Sequence, residues 1–338
     1  MKLHARPVLG RARRADKVAA MNIRSAHNLD DVREIARRKL PRIAFDFIDG
    51  GVDDELCLRR NREAFQRHRL LPRYLVDVSR RDQSTVLLGR PSARPFGIPP
   101  TGPARPSSSP FGFCPTGQAA LFSPDADRLL AAAAAKADIP FLLSSASNGA
   151  LEDVAQVAPE HVWFQMYCTS DEKINADLVR RARACGVRVL VVSVDVPVNA
   201  NPERNRRNGF SRPFRMTPGV VLEALAHPAW VLRYLRTGGI PMMRNWQPYA
   251  PPGATAAQVA DLCGTLRPAP MVQWAHLQRI PGAWPGPLVV RGLMHPEDAQ
   301  RAMQIGAEGI VVSNHGGRQL DAAPSPVEVL PAMRQAVG

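Results

Sequence analysis

The sequence predicts an α/β protein built on a parallel sheet, on three observations. From about residue 139 onward, short apolar runs alternate with helical patterns. The runs are apolar at successive positions rather than at every second one, as strands covered by helices on both faces require. Polar and small residues gather where the runs stop. In chain order, IPFLLSSAS, HVWFQMY, VRVLVVSVD, GPLVVRG and GIVVSNHGG read as strands. Between them LEDVAQVAP, SDEKINADLVRRARACG and HPEDAQRAMQIGAEG carry apolar residues at helical spacing. A doubly wound sheet and an eight-stranded (β/α)8 barrel of the TIM type both fit this alternation. The strand ends present Ser144, Ser145, Gln165, Tyr167, Ser193, Asp195, Arg291, Asn314 and His315. Only in a barrel do the carboxyl ends of five strands share one mouth. No GxGxxG follows any strand, which counts against a dinucleotide-binding sheet. The barrel is the expected architecture.

Bulk properties narrow the function classes. The chain has 338 residues, 45% of them hydrophobic, enough for one large domain. Five cysteines without CxxC spacing suggest neither a zinc site nor a disulfide framework, and fit a reducing, cytoplasmic setting. The net charge of +14 comes mainly from arginines spread along the chain without interleaved aromatics, a poor footprint for nucleic acid. No apolar run approaches the roughly 18 residues of a membrane span. Residues 1–28 read as a basic disordered extension and 29–338 as the barrel unit. Within that unit a long inserted loop is expected at about 197–285, carrying either a lid helix packed on the barrel mouth or an interfacial helix with Trp230 and Trp246 at headgroup level. FGIPPTG (96–102) recurs as FGFCPTG (111–117), and two such copies cannot both occupy one strand end.

The stretch VVSNHGGRQLD, 311–321, ends a buried strand with an imidazole and a guanidinium on a bare backbone. Taken singly, a histidine after a strand is most often a structural hydrogen-bonder, Asp195 reads equally well as a helix cap, and Ser144 and Ser193 as turn residues. The set says more. SNHGGRQLD, SVDVP, WFQMY, LPRIAFDFIDGG, NREAFQRHRLLPRYLVDVS and SSASNGALEDVA together resemble the FMN-dependent L-2-hydroxy acid dehydrogenases and oxidases, which include glycolate oxidase and lactate dehydrogenase. The membrane-associated mandelate dehydrogenase branch is nearest, and the resemblance runs from about Leu29 to the last residue.

That resemblance implies FMN as cofactor and oxidation of a lactate- or mandelate-type acid to the 2-oxo acid. It makes His315 the base, Asp195 the carboxylate that orients it, and Tyr167 a hydrogen-bonder to the substrate. Arg318 grips the substrate carboxylate, a task suited to a planar bidentate fork. Pro115, Thr116, Gly117, Ser144, Gln165, Ser193 and Arg291 are implied cofactor contacts, with Gly316 and Gly317 letting the backbone approach the flavin. The implied partners are a quinone or other electron acceptor, an anionic membrane at its inner face, and further copies of the chain in a tetramer.

Some residues depart from the family pattern. Phe47 stands where a tyrosine usually contacts the substrate carboxylate, and Pro202 where an arginine usually assists Arg318. Arg291 replaces a lysine. The chain stops at Gly338, after about six of eight expected strands and before the family's phosphate-holding loops, so weak FMN binding is expected. The rival expectation is a catalytically impaired fragment or relic that keeps only the scaffold.

Overall fold

The computed structural model describes residues 23–98, 119–209, 217–267 and 270–338. Most of the basic extension, the copy containing Pro115, Thr116 and Gly117, and Arg212 and Arg215 lie outside them. Residues 23–28 depart from the expected disorder: Ile23–Ser25 form a 3-10 turn and Asn28 caps α1 (Leu29–Lys39) by accepting from the Asp31 N–H at 2.8 Å. Helices α2 (Arg42–Asp49) and α3 (Leu56–Gln66) follow. A short antiparallel hairpin, β1 (Thr85–Leu87) with β2 (Arg90–Ser92), precedes the main sheet.

The five strands expected from the sequence all form, as β3 (Phe141–Ser144), β4 (Val162–Tyr167), β5 (Leu190–Ser193), β6 (Leu288–Leu293) and β7 (Gly309–Val312). Each pairs in parallel with the next strand in the chain, in the order β3-β4-β5-β6-β7. A doubly wound sheet reverses its strand order at a switch point, whereas a barrel adds each strand beside the last. The observed winding is that of a TIM-type barrel, and among the described residues it remains an open sheet. Ile98 extends it by one parallel bridge to Phe141. Ile98, from the first FG copy, therefore stands at the edge beside β3, and the second copy lies outside the described residues.

The helices form between the strands where their apolar spacing places them: α4 (Ala126–Lys136), α5 (Leu151–Val157) and α6 (Glu172–Ala184). Asp171 caps α6, its carboxylate accepting from the Lys173 N–H at 2.8 Å. Strand side chains alternate between two cores. Outward residues such as Phe141, Phe164, Met166 and Val192 pack on the helices. Inward residues Leu142, Trp163, Val189, Val191 and Val289 form a second cluster, closed from one side by Leu87 and Leu88 of the hairpin. Each such fully buried side chain stabilises the fold by roughly 1.5–3 kcal/mol.

The stretch expected as a loop at 197–285 is largely helical. It contains α7 (Glu203–Arg207), α8 (Pro218–Leu225), α9 (Pro228–Arg236), α10 (Ala256–Leu266), α11 (Trp274–Leu277) and α12 (Ile280–Ala283). Thr255 and Gln258 make a reciprocal capping box on α10. Trp246 corrects the headgroup reading: it is fully buried, edge-on to Tyr249 with ring centroids 6.2 Å apart. Trp230 is half-buried, stacks on Tyr234 at 4.9 Å and donates its indole N–H to the Leu121 carbonyl at 2.9 Å. Beyond the insert come α13 (Pro296–Gln304) and α14 (Pro326–Val337).

Candidate active site

The parallel register aligns the polar strand ends. Ser144 lies opposite Gln165, Tyr167 opposite Ser193, and Ser193 opposite Arg291. Because side chains alternate along a strand, Gln165 and Tyr167 share the inward face of β4, and Ser193 and Asp195 continue that of β5. Ser144 donates its hydroxyl to Gln165 Oε1 at 2.7 Å, both side chains fully buried.

Around Asp195 the structure builds a buried charge cluster. Arg291 Nη1 donates to Asp195 Oδ1 and Oδ2, each at 3.0 Å, and to Ser193 Oγ at 3.3 Å, while its Nη2 donates to Ser313 Oγ at 3.1 Å. His315 Nδ1 lies 3.0 Å from Asp195 Oδ1. The side chains are 0% exposed for Arg291, 8% for Asp195 and 12% for His315, so solvent screens these contacts little. An ionised carboxylate can only accept, so His315 Nδ1 carries the proton toward Asp195 and Nε2 keeps its lone pair. Arg291 Nη1 also lies 3.3 Å from His315 Nδ1, where two donors meet.

The electrostatics follow from that arrangement. Burial opposes the Asp195 charge, but Arg291 and His315 more than offset it and hold the carboxyl below its ordinary range. For His315, burial first of all, then the cations Arg291 and Arg318, outweigh the pull of Asp195 and lower its pKa below the ordinary histidine value. The ring is therefore neutral near pH 7, with Nε2 able to accept a proton.

Backbone geometry sets the ring's position. His315, Gly316 and Gly317 all take left-handed conformations, with φ of 56°, 68° and 72°. His315 bears the strain of a side chain at positive φ, a common mark of functional positions. Gly317 corrects the sequence reading. A Cβ there would lie 2.7 Å from the Leu58 backbone nitrogen, so its bareness admits α3 rather than a cofactor. The Val52 N–H donates to the Gly317 carbonyl at 3.1 Å, and the Cys57 N–H to Asp321 Oδ1 at 2.9 Å. Asn314 Nδ2 donates to Asn61 Oδ1 at 2.7 Å and to the Pro324 carbonyl at 2.9 Å. These bonds fasten the loop after β7 to α3 and to the turn before it.

Arg318 lies on that amino-terminal side. It donates to the Gly50 carbonyl, and its guanidinium carbon sits 5.5 Å from the centre of the Phe47 ring. The structure thus joins Asp195, His315, Arg291 and Ser193 in one cluster, sets the Tyr167 ring 6.4 Å from that of His315, and pairs Ser144 with Gln165 on the neighbouring strands. Pro202 begins α7 and contributes no charge. Two further contributors went unread. Ser313 bridges Arg291, Asp195 at 3.5 Å and the His315 N–H at 3.0 Å. Gly292, at φ 106°, lies where a Cβ would come 2.4 Å from Asp195 Cβ, beside a register irregularity in β6. A glycine inside a strand pattern was its available signal.

Residues 36–106 and 104–338 match the model of a family described as FMN-dependent dehydrogenase. The two matches overlap at 104–106, between the duplicated FG motifs. The chain is 37% identical over 303 residues to (S)-mandelate dehydrogenase of Pseudomonas putida, covering 90% of this chain and 72% of the relative. It is 38% identical over 310 residues to L-lactate dehydrogenase of Caulobacter vibrioides, covering 91% and 76%. A crystal structure of monotopic membrane protein (S)-mandelate dehydrogenase superposes with a TM-score of 0.84 at 36% identity, over 93% of this chain and 79% of that one.

Proposed function

This chain belongs to the FMN-dependent dehydrogenase family, and from that premise we propose that it oxidises an L-2-hydroxy acid of mandelate or lactate type to the 2-oxo acid, with His315 as the base. The observation that carries the reading is the imidazole held on Asp195 at 3.0 Å, neutral and nearly sealed, three residues before a guanidinium. FMN is the family's cofactor, and the residues present fit its ring. Gln165 Nε2 and Ser145 Oγ are buried without a hydrogen-bond partner among the described residues. Orphaned donors of this kind cost free energy unless a bound group accepts from them, and a flavin ring carries carbonyl and nitrogen acceptors. Gln165, Ser145, Ser193 and Arg291 would hold the ring, while Pro115, Thr116 and Gly117 lie outside the described residues.

Bound FMN supplies the two-electron acceptor. The rest is the work of the chain. Arg318 draws in the substrate carboxylate and orients it by paired N–H donors. Tyr167 offers a hydroxyl on the same side as His315. His315 Nε2 takes the substrate proton, and the imidazolium so formed gains a counter-charge from Asp195 at no cost in reorganisation. Arg291 balances Asp195 beforehand, which keeps the resting imidazole neutral. Anaerobic mixing of the flavin-loaded protein with L-mandelate, L-lactate and their D-enantiomers tests the proposal. Bleaching of the flavin absorbance by an L-acid alone is expected; no bleaching by any of the four would reject it.

We also propose that the chain attaches peripherally to anionic membranes. No helix among the described residues is long and apolar enough to cross a membrane. In α8 and α9, however, Leu222, Leu225, Leu232 and Leu235 are all more than half exposed beside the exposed Arg233 and Arg236. Apolar side chains with flanking cations suit the headgroup boundary, and attachment there would bring the enzyme to a membrane-borne electron acceptor. Co-sedimentation with vesicles containing an anionic lipid should fall several-fold in L222S/L225S/L232S/L235S and in high salt. Equal sedimentation of that variant and the parent would remove α8 and α9 from the attachment.

A further inference from the structure

Beside the charge cluster lies a cavity of about 630 Å³, reaching Tyr167 and Ser193 at the strand ends. Its far wall comes from the insert and from α13. Val272, Trp274 and Leu277, with Leu293 of β6, give the cavity an apolar patch beside the polar Gln273 and Gln278, and Arg267 lies against the Tyr167 ring. Asp298 and Arg301 also border it; their opposite charges offset each other, and Arg301 lies over the Trp274 ring at 5.0 Å.

Arg267 stands out within this wall. Its guanidinium carbon is 5.1 Å from the centre of the Tyr167 ring, which lies 6.4 Å from that of His315. Its Nε is buried without a hydrogen-bond partner among the described residues. A sealed donor on a charged group is among the least tolerable of unpaired atoms, and an anion entering the cavity would satisfy it. Meanwhile the described residues of the loop after β5 bring no second cation to the site. Residue 202 is proline, and Arg204, two positions on, is engaged by Asp49 at 3.1 Å and by Glu55.

We infer that Arg267, supplied by the insert, is the second cation for the substrate carboxylate, and that the apolar patch around Trp274 receives the substrate's side chain and favours aromatic or bulky apolar 2-hydroxy acids over lactate. The inference rests on the proposed 2-hydroxy acid oxidation and specifies its substrate class. Arg318 from the loop after β7, which acts on His315, and Arg267 from α10's end, against the Tyr167 ring, would clamp a carboxylate beside the base. An aromatic substituent would displace water from that apolar patch, a gain that the methyl of lactate cannot match.

The test compares R267M and R267K with the parent protein, after checking that their thermal unfolding matches it. Removing a charge-assisted contact should raise KM for L-mandelate about 10- to 100-fold in R267M with a smaller change in kcat, and R267K should recover part of that loss. A second measurement does not depend on turnover. Trp274 lines the cavity, so titration with the aromatic 2-oxo acid phenylglyoxylate should quench tryptophan fluorescence saturably in the parent, weakly in R267M, and far less in a W274F control. Pyruvate should bind at least 10-fold more weakly than phenylglyoxylate in the parent, by the area of ring that it lacks. Flavin reduction by L-acids with KM unchanged in R267M would overturn the role of Arg267 while leaving the reaction standing. No flavin reduction by any 2-hydroxy acid would reject the reaction itself, and phenylglyoxylate titration would then still judge the site. Absence of saturable quenching in the parent would overturn the site.

Discussion

Replacing His315 with alanine is expected to lower flavin reduction by L-2-hydroxy acids on the order of 10² to 10⁴-fold, the usual worth of a positioned general base. The flavin should remain bound, because its proposed ring contacts lie just after β3 and on β4, β5 and β6 rather than at residue 315. KM should change little, since Arg318 still holds the carboxylate. The parent protein carries a matching pH signature. The neutral imidazole is the active form, and burial together with Arg291 and Arg318 sets its pKa below the ordinary 6.5. Accordingly kcat/KM should be flat around pH 7 and fall only in more acid solution, with an apparent pKa under 6.5. Stability should decline in the same direction: the native state binds this proton less readily than the unfolded chain, so the contribution is present above pH 6.5 and lost on acidification through the native pKa. An acid limb centred well above 6.5, or H315A reducing its flavin at the parental rate, would dismiss His315 as the base.

The fold was legible because its signals are periodic. Each of the five strands announces itself as an apolar run bounded by small or polar residues, and each crossover helix by apolar spacing with an N-terminal cap such as Asp171. What the periodicity could not carry was pairing. That Ile98 stands beside β3 rests on a contact with Phe141, forty-odd residues on, a proximity that periodicity does not encode. The insert was legible in part. The apolar positions from Val220 to Leu235 mark helix, whereas Pro, Gly and Arg are dense across 197–285 and hide how many short helices form there; α8 and α9 carry proline in the first turn, where its missing N–H is harmless. Trp246 likewise looks like an interfacial anchor until Tyr249 and the outer core enclose it. At the site, SNHGGRQLD disclosed His315 and Arg318 through chemistry. Ser313 and Gly292 act on Asp195, which is 118 and 97 positions away, and no local pattern records that proximity.

Asp195→Asn is expected to damage both stability and rate, and the two effects have one origin. Arg291 has no exposed side-chain surface, and Asp195 is the carboxylate that its Nη1 meets with both oxygens. Removing one partner of a buried ion pair leaves the other charge uncompensated and costs about 3–5 kcal/mol. Asparagine cannot repair the geometry. Its single oxygen can face either Arg291 or His315 Nδ1, and its amide then turns a donor toward the other donor. Turnover should fall by about 10² to 10⁴-fold, since the imidazole loses both the acceptor that orients it and the counter-charge for its protonated form. Asp195 is also the group that raises the His315 pKa, against burial and two cations. Its loss should move the acid limb of the residual activity to still lower pH, a shift that general loosening of the fold would not produce. The stability difference between parent and variant should itself depend on pH. The Asp195 pKa is depressed in the folded state, so its contribution is complete above the ordinary carboxylate value of about 3.9 and vanishes as the pH falls through the native pKa. Denaturant unfolding at pH 7 and at progressively lower pH, beside kcat/KM profiles of parent and D195N, measures each part. Ser313→Ala, which removes one bridge but keeps both charges, should lie between them. Should D195N unfold with the parent at pH 7 and keep its acid limb in place, the ionic coupling of Arg291, Asp195 and His315 would have no bearing on either property.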